Sequence, residues 1–166
     1  MLFVGICAAV IDSTAEASPR SERSPGLEVC PLNCEMYKIS LANASYNETT
    51  NSTYFTYAVS VENNTCSIES WFLALGRALN PKDILSASPV PWELFEMADQ
   101  SGVYVIKFDK SIEQPRVRGP AGSMIYSFEL AGNWSRKMAP ITADIITRSG
   151  ICSKGVNGPD CQKRIL

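Results

Sequence analysis

The chain has 166 residues, of which 45% are hydrophobic and 19% charged, with 15 Lys+Arg set against 17 Asp+Glu and no His at all. A chain of about 150 residues buries roughly 70% of its unfolded surface, so one globular domain is expected. The near-neutral charge lacks the electrostatic footprint of a general nucleic-acid binder. The absence of His excludes Ser-His-Asp and Cys-His catalysis, His metal ligands and a His-based pH switch.

Residues 2–11 form an apolar run, Leu2 to Ile11, followed by Ala15-Glu16-Ala17, which has the small-x-small form of a signal-peptidase site. The run is too short to span a bilayer, which needs about 20 apolar residues. Residues 1–17 are therefore read as a signal peptide, although no Lys or Arg precedes the run; an N-terminal core strand is the alternative. Residues 18–29, rich in Ser, Pro and charge, read as a flexible leader. Arg20-Ser21-Glu22-Arg23 within it has the R-x-x-R shape of a processing-protease site, with a solvated charge run the simpler reading. Residues 30–166 are assigned to the folded domain.

Tyr37 to Leu41 is a candidate first strand. The polar run Asn43 to Thr53 holds three N-x-[ST] sequons, at Asn43, Asn47 and Asn51, and reads as a solvent-facing loop able to carry glycan; Asn63 and Asn133 begin two more. From Tyr54 to Glu62 alternation is strict, with Phe55, Tyr57, Val59 and Val61 on one face, as in a half-buried antiparallel strand. Asn63-Asn64-Thr65 supplies turn chemistry, and Ile68 to Gly76 is apolar on both faces, as in a central strand; a hairpin between the two is expected. Asp83 to Ser86 is a further candidate.

Pro91 suits a first helical turn, Glu93 its positive end, and Trp92 with Phe95 one helical face, so a short helix is expected before the turn Asp99-Gln100-Ser101-Gly102, with a strand over Trp92 to Met97 the alternative. Tyr104 to Phe108 and Met124 to Leu130 alternate as strands, and Ile141 to Thr147 is β-branched. The fold class expected is all-β: an antiparallel β-sandwich of about seven strands with immunoglobulin-like architecture and one short helix.

Cysteine usage fits an exported protein. If Cys7 leaves with the signal peptide, Cys30, Cys34, Cys66, Cys152 and Cys161 remain, enough for two disulfides and one thiol. Zinc binding by Cys30, Cys34, Cys152 and Cys161 is the rival, but the C-x-x-C knuckle spacing is missing. Cys66 and Cys161 each follow turn chemistry at an end of the β body, which favours their pairing. The competing arrangement joins Cys152 to Cys161 and leaves Cys66 to Cys30 or Cys34.

The segments Tyr57-Ala58-Val59, Cys66 before Ile68-Glu69-Ser70-Trp71-Phe72, Gly102 to Asp109, Phe128 to Trp134, and Gly158-Pro159-Asp160-Cys161 carry a resemblance. Over Met36 to Cys161 the chain resembles a little-characterised extracellular β-sandwich domain of bacterial and algal secreted proteins. Members carry Ile-Ser-His near the second strand, where this chain has Glu69 intervening and Trp71 in place of His. The resemblance implies a fold and no activity.

Catalytic chemistry finds little support. Glu93, Glu96, Asp99, Asp109, Glu129 and Asp144 include conceivable carboxylate pairs for glycoside hydrolysis, none within a motif, and no nucleophile elbow, phosphate loop or calcium loop occurs. Binding is the better class. Trp92 and Trp134 are the candidate ligand-binding residues because an indole offers broad contact area with a polar N–H, whereas Trp71 lies in a doubly apolar strand and is assigned to the core. The expectation is a secreted, non-catalytic extracellular module with a structural or adhesive role and no cofactor. Its partner is an extracellular protein or glycan, with no nucleic acid and no membrane span. A carbohydrate-binding module using Trp92 and Trp134 is the alternative.

Overall fold

In the computed structural model, the structure describes residues 32–62, 66–76, 79–98, 100–112 and 122–160. The expected signal peptide, leader and R-x-x-R site, together with Cys7, Cys30, Asn63, Asp99 and Cys161, lie outside the described residues. The strands are β1 (Tyr37–Asn47), β2 (Ser52–Val61), β3 (Ser70–Gly76), β4 (Ile84–Ser88), β5 (Trp92–Glu96), β6 (Tyr104–Phe108), β7 (Gly122–Ala131), β8 (Met138–Thr147) and β9 (Gly150–Pro159). They form two antiparallel sheets, of order β1-β2-β7-β4 and β5-β6-β3-β8-β9, the layers of a β-sandwich.

The spatial order explains the immunoglobulin-like expectation. β1-β2-β7-β4 and β3-β8-β9 repeat the A-B-E-D and C-F-G orders of that architecture, and β6 and β5 extend the second sheet where variable-type domains add two strands. The path differs in the middle, because the chain visits β4 in the first sheet before it forms β5 and β6 in the second.

Strict alternation puts Phe55, Tyr57, Val59 and Val61 of β2 at 0% exposure, facing Trp71, Leu73 and Leu75 of β3, also at 0%. Aromatic rings cluster in the interior. Phe55 and Phe128 stack at 5.1 Å between ring centroids, Trp71 and Phe108 at 4.9 Å, and Tyr126 meets Trp71 edge-on at 5.2 Å, linking the two sheets. Such pairs add about 0.5–1.5 kcal/mol each beyond the burial of their area. Buried hydroxyls find backbone acceptors: Tyr126 donates to Lys110 O at 2.6 Å and Tyr57 to Asn157 O at 3.1 Å. Burial raises the Tyr126 phenol from 10.0 to about 12, because a phenolate would lose its hydration there. Gly158, on β9, faces Ile141 and the Tyr57 hydroxyl so closely that a Cβ would collide with both.

Several expectations are corrected. The strand over Tyr54 to Glu62 and that over Ile68 to Gly76 do not form a hairpin, since β2 pairs with β1 and β7 whereas β3 pairs with β6 and β8 in the other sheet. Two strands each apolar on an inner face bury more by stacking across the core than by lying side by side. The helix expected at Pro91 is β5: Glu93 pairs with Lys107 and Phe95 with Val105, so Trp92 and Phe95 point to opposite faces. The loop Asn43 to Thr53 is largely strand, with only the turn between β1 and β2 outside the ladder, and Ser52 and Thr53 are buried.

Cys34 and Cys152 form a disulfide with a Cα–Cα distance of 5.4 Å, tying the entry of β1 to β9. This overturns both the Cys152–Cys161 pairing and a zinc site using Cys34 and Cys152; among the described residues no cluster of three metal-ligating side chains occurs. Cys66 is also disulfide-bonded. Its Sγ lies 3.0 Å from the Ser149 hydroxyl, at the turn between β8 and β9, and its carbonyl accepts from Tyr37. Asp160, which precedes Cys161, is held by Lys137 O at the other end of β9, about 30 Å along a ten-residue strand. Cys34, bonded to Cys152, is not the partner of Cys66, and the other expected partners, Cys161 and Cys30, lie outside the described residues.

Candidate binding face

Each sheet has an inner face in the core and an outer face toward solvent, and the outer faces differ. On the four-stranded sheet, β2 and β7 present Ser52, Tyr54, Thr56, Ser127 and Glu129 outward, together with Ile125, which is 59% exposed. Most of the polar groups bond to one another. Glu129 accepts from Ser52 at 2.5 Å and from Ser86 of β4 at 3.2 Å, and Tyr54 donates to Ser127 at 2.6 Å. Both edges of this sheet carry register shifts, at Leu41/Asn43 of β1 and Ile84/Ser86 of β4, which discourage edge-to-edge pairing.

The outer face of the five-stranded sheet is built otherwise. Phe72 of β3 and Phe95 of β5 meet edge-on at 5.9 Å. Phe95 pairs across the ladder with Val105, which is only 5% exposed although it points outward, while Phe95 itself is 40% exposed. Beside this aromatic pair runs a charged row, in which Lys107 contacts Asp109 at 2.7 Å and Glu93 at 3.9 Å. Asp109, chiefly through its hydrogen bond and with Glu93 adding to the field, holds the Lys107 ammonium above its ordinary value despite some desolvation. On the far side of Phe72, Asp144 accepts from Ser153 at 2.5 Å. An apolar patch flanked by both signs of charge makes this face the candidate for a protein contact.

The candidate tryptophans are placed elsewhere. Trp92, on β5, turns inward and packs half-buried against the core. Trp134, expected to be the most exposed, is also half-buried against the core. Its indole N–H donates to Ala131 O at 2.8 Å, its backbone N–H to Thr53 Oγ1 at 2.9 Å, and Lys137 Nζ lies 5.5 Å from the centre of its ring. Both indoles thus pack one part of their surface against the sandwich. Trp71 is fully buried as expected, and its indole N–H is the buried side-chain polar atom without a partner among the described residues.

The carboxylates are engaged in local structure. Glu96 accepts from the Gly102 N–H and the Ser101 hydroxyl, closing the turn between β5 and β6 where Gly102 takes φ +80°. Glu93 and Asp109 share Lys107, while Glu129 and Asp144 hold hydroxyls. A solvent-open groove of about 500 Å³ runs between β1 and β9, lined by Ile39, Ser40, Leu41, Pro140, Gly155, Val156 and Asn157, and contains no titratable side chain. No helix among the described residues is long and apolar enough to cross a membrane.

No family model matches the chain, and no curated protein matches it. Among solved structures, it is similar to the yeast delta-COP-I mu-homology domain complexed with a Dsl1 WxWxV peptide, at 13% identity and TM-score 0.46, covering 76% of this chain and 56% of that one. It is also similar to a GH20 exo-β-N-acetylglucosaminidase from Vibrio harveyi, at 12% identity and TM-score 0.42, covering 73% of this chain and 17% of that one. The chain thus spans less than two thirds of either, and likenesses at this level carry no argument about function.

Proposed function

We propose that the chain is a secreted, non-catalytic extracellular module with a structural or adhesive role, which associates with a second copy of itself through the outer face of the five-stranded sheet. The observation that carries this reading is the Phe72–Phe95 pair, with Phe95 exposed and Phe72 half-buried, set beside Glu93, Lys107 and Asp109. A patch bearing both signs of charge around an apolar centre is self-complementary about a twofold axis. The Cys34–Cys152 disulfide is consistent with an oxidising compartment, and the resemblance to extracellular β-sandwich domains supports the same setting.

The carbohydrate-binding reading stays the alternative, its candidate indoles Trp92 and Trp134 being half-buried against the core. A glycan array together with light scattering separates the two. Concentration-dependent self-association with a silent array is the expected result. Glycan binding that disappears in Trp92→Ala or Trp134→Ala would overturn it.

A further inference from the structure

In sequence, Asn133 lies far from the cluster Asn43, Asn47 and Asn51; the fold gathers the four at one end of the four-stranded sheet. Asn43 and Asn47 stand on the same outer face of β1, about 13 Å apart at strand spacing, paired with Thr56 and Ser52. Asn51 closes the following turn at φ +48°, and its carbonyl accepts from the Gly132 N–H at 2.7 Å. That bond, with Thr53 Oγ1 donating to Gly132 O at 2.7 Å, sets the loop carrying Asn133 beside the turn. All four side chains are exposed.

We propose that Asn43, Asn47, Asn51 and Asn133 are N-glycosylated and together form a glycan cap over this pole. The way three of these side chains are held supports it. Asn47 Oδ1 accepts from the Thr49 N–H at 2.9 Å, Asn51 Oδ1 from the Tyr46 hydroxyl at 2.9 Å, and Asn133 Oδ1 from the Ser135 hydroxyl at 2.8 Å. In each the oxygen makes the local contact, so a sugar on Nδ2 displaces none of these bonds. In the transfer, Nδ2 attacks C1 of an oligosaccharide carried on a lipid diphosphate. The N–C bond forms, the C1–O bond to the diphosphate breaks, and the amide proton leaves to a base. The opposite pole holds the Cys34–Cys152 disulfide and Cys66, and the patch of Phe72 and Phe95 lies on the other sheet, so the cap leaves the proposed binding face open.

The inference rests on the reading that the chain is secreted, and one experiment distinguishes the two. The full chain is expressed in cultured eukaryotic cells, medium and cytosol are collected, and N-glycans are released enzymatically in heavy-oxygen water before peptide mapping. Heavy-oxygen Asp at positions 43, 47, 51 and 133 of protein from the medium is the expected result, with a variant carrying Asn→Gln at all four still secreted and still self-associating. Unmodified Asn at these positions in secreted protein overturns the cap while leaving secretion standing. Protein confined to the cytosol and unmodified overturns both.

Discussion

The two outer faces rest on one interior, yet they are built differently. On the four-stranded sheet, hydroxyls and Glu129 bond to one another across β2, β7 and β4, with Ile125 of β7 exposed beside them. On the five-stranded sheet, half-buried Phe72 meets exposed Phe95 edge-on, beside charges of both signs. The contrast teaches that function in a sandwich is read from the faces the core does not use. Inner faces report stability, whereas aromatic surface on an outer face marks a candidate for a partner.

The largest effect is expected from the shared interior. Trp71→Ala removes the ring that joins Phe108 of one sheet to Tyr126 and Tyr57 of the other, and is expected to cost about 3–5 kcal/mol in urea unfolding. One cooperative transition is expected. Two separate transitions, one per sheet, would break the premise that both faces share a core.

Reduction comes next. The Cys34–Cys152 bridge ties the entry of the first sheet to an edge strand of the second across a sequence separation of 118. A native bridge contributes typically about 2–4 kcal/mol, so thiol release should lower Tm by several degrees. An unchanged Tm with both thiols titrated would contradict this.

A third test uses pH. With the Tyr126 phenol at about 12 folded against 10.0 unfolded, its contribution is complete below pH 10 and is lost as pH rises toward 12. Each pH unit in that window costs about 1.4 kcal/mol, giving roughly 2–3 kcal/mol in all. Tyr126→Phe should flatten this part of the curve; a curve as steep as the parent's would assign the loss to other groups. On the polar face alone, Glu129→Ala frees Ser52 and Ser86 and should cost about 1 kcal/mol in the same unfolding assay without altering association.

Much of this architecture was legible in the sequence. Strict alternation located β2, β6 and β7, and β-branching located β8. The hairpin expected between β2 and β3 failed because alternation reveals which face is buried and not which strand is the neighbour. The helix expected at β5 follows from the i, i+3 spacing of Trp92 and Phe95, whereas pairing with β6 sends the two to opposite faces of a strand. β9 escaped notice because Gly155 and Gly158 interrupt its apolar pattern, and Gly158 is there because Ile141 and Tyr57 leave no room for a side chain. The proposed binding face was not legible at all. Phe72 was absorbed into a doubly apolar strand and Phe95 into a helix, and only the ladder β5-β6-β3 places them on one outward surface. Trp134 drew attention as an exposed indole, and its bonds to Ala131 and Thr53 depend on a contact between distant loops.

The most direct test compares one charge substitution on each outer face by sedimentation velocity over a range of concentrations. Phe95→Glu, on the five-stranded sheet, and Thr56→Glu, on the four-stranded sheet, are both partly exposed and should each change stability by less than about 0.5–1 kcal/mol. The account predicts that the parent chain and Thr56→Glu self-associate alike while Phe95→Glu stays monomeric. Equal association of all three, or loss in Thr56→Glu alone, would contradict it.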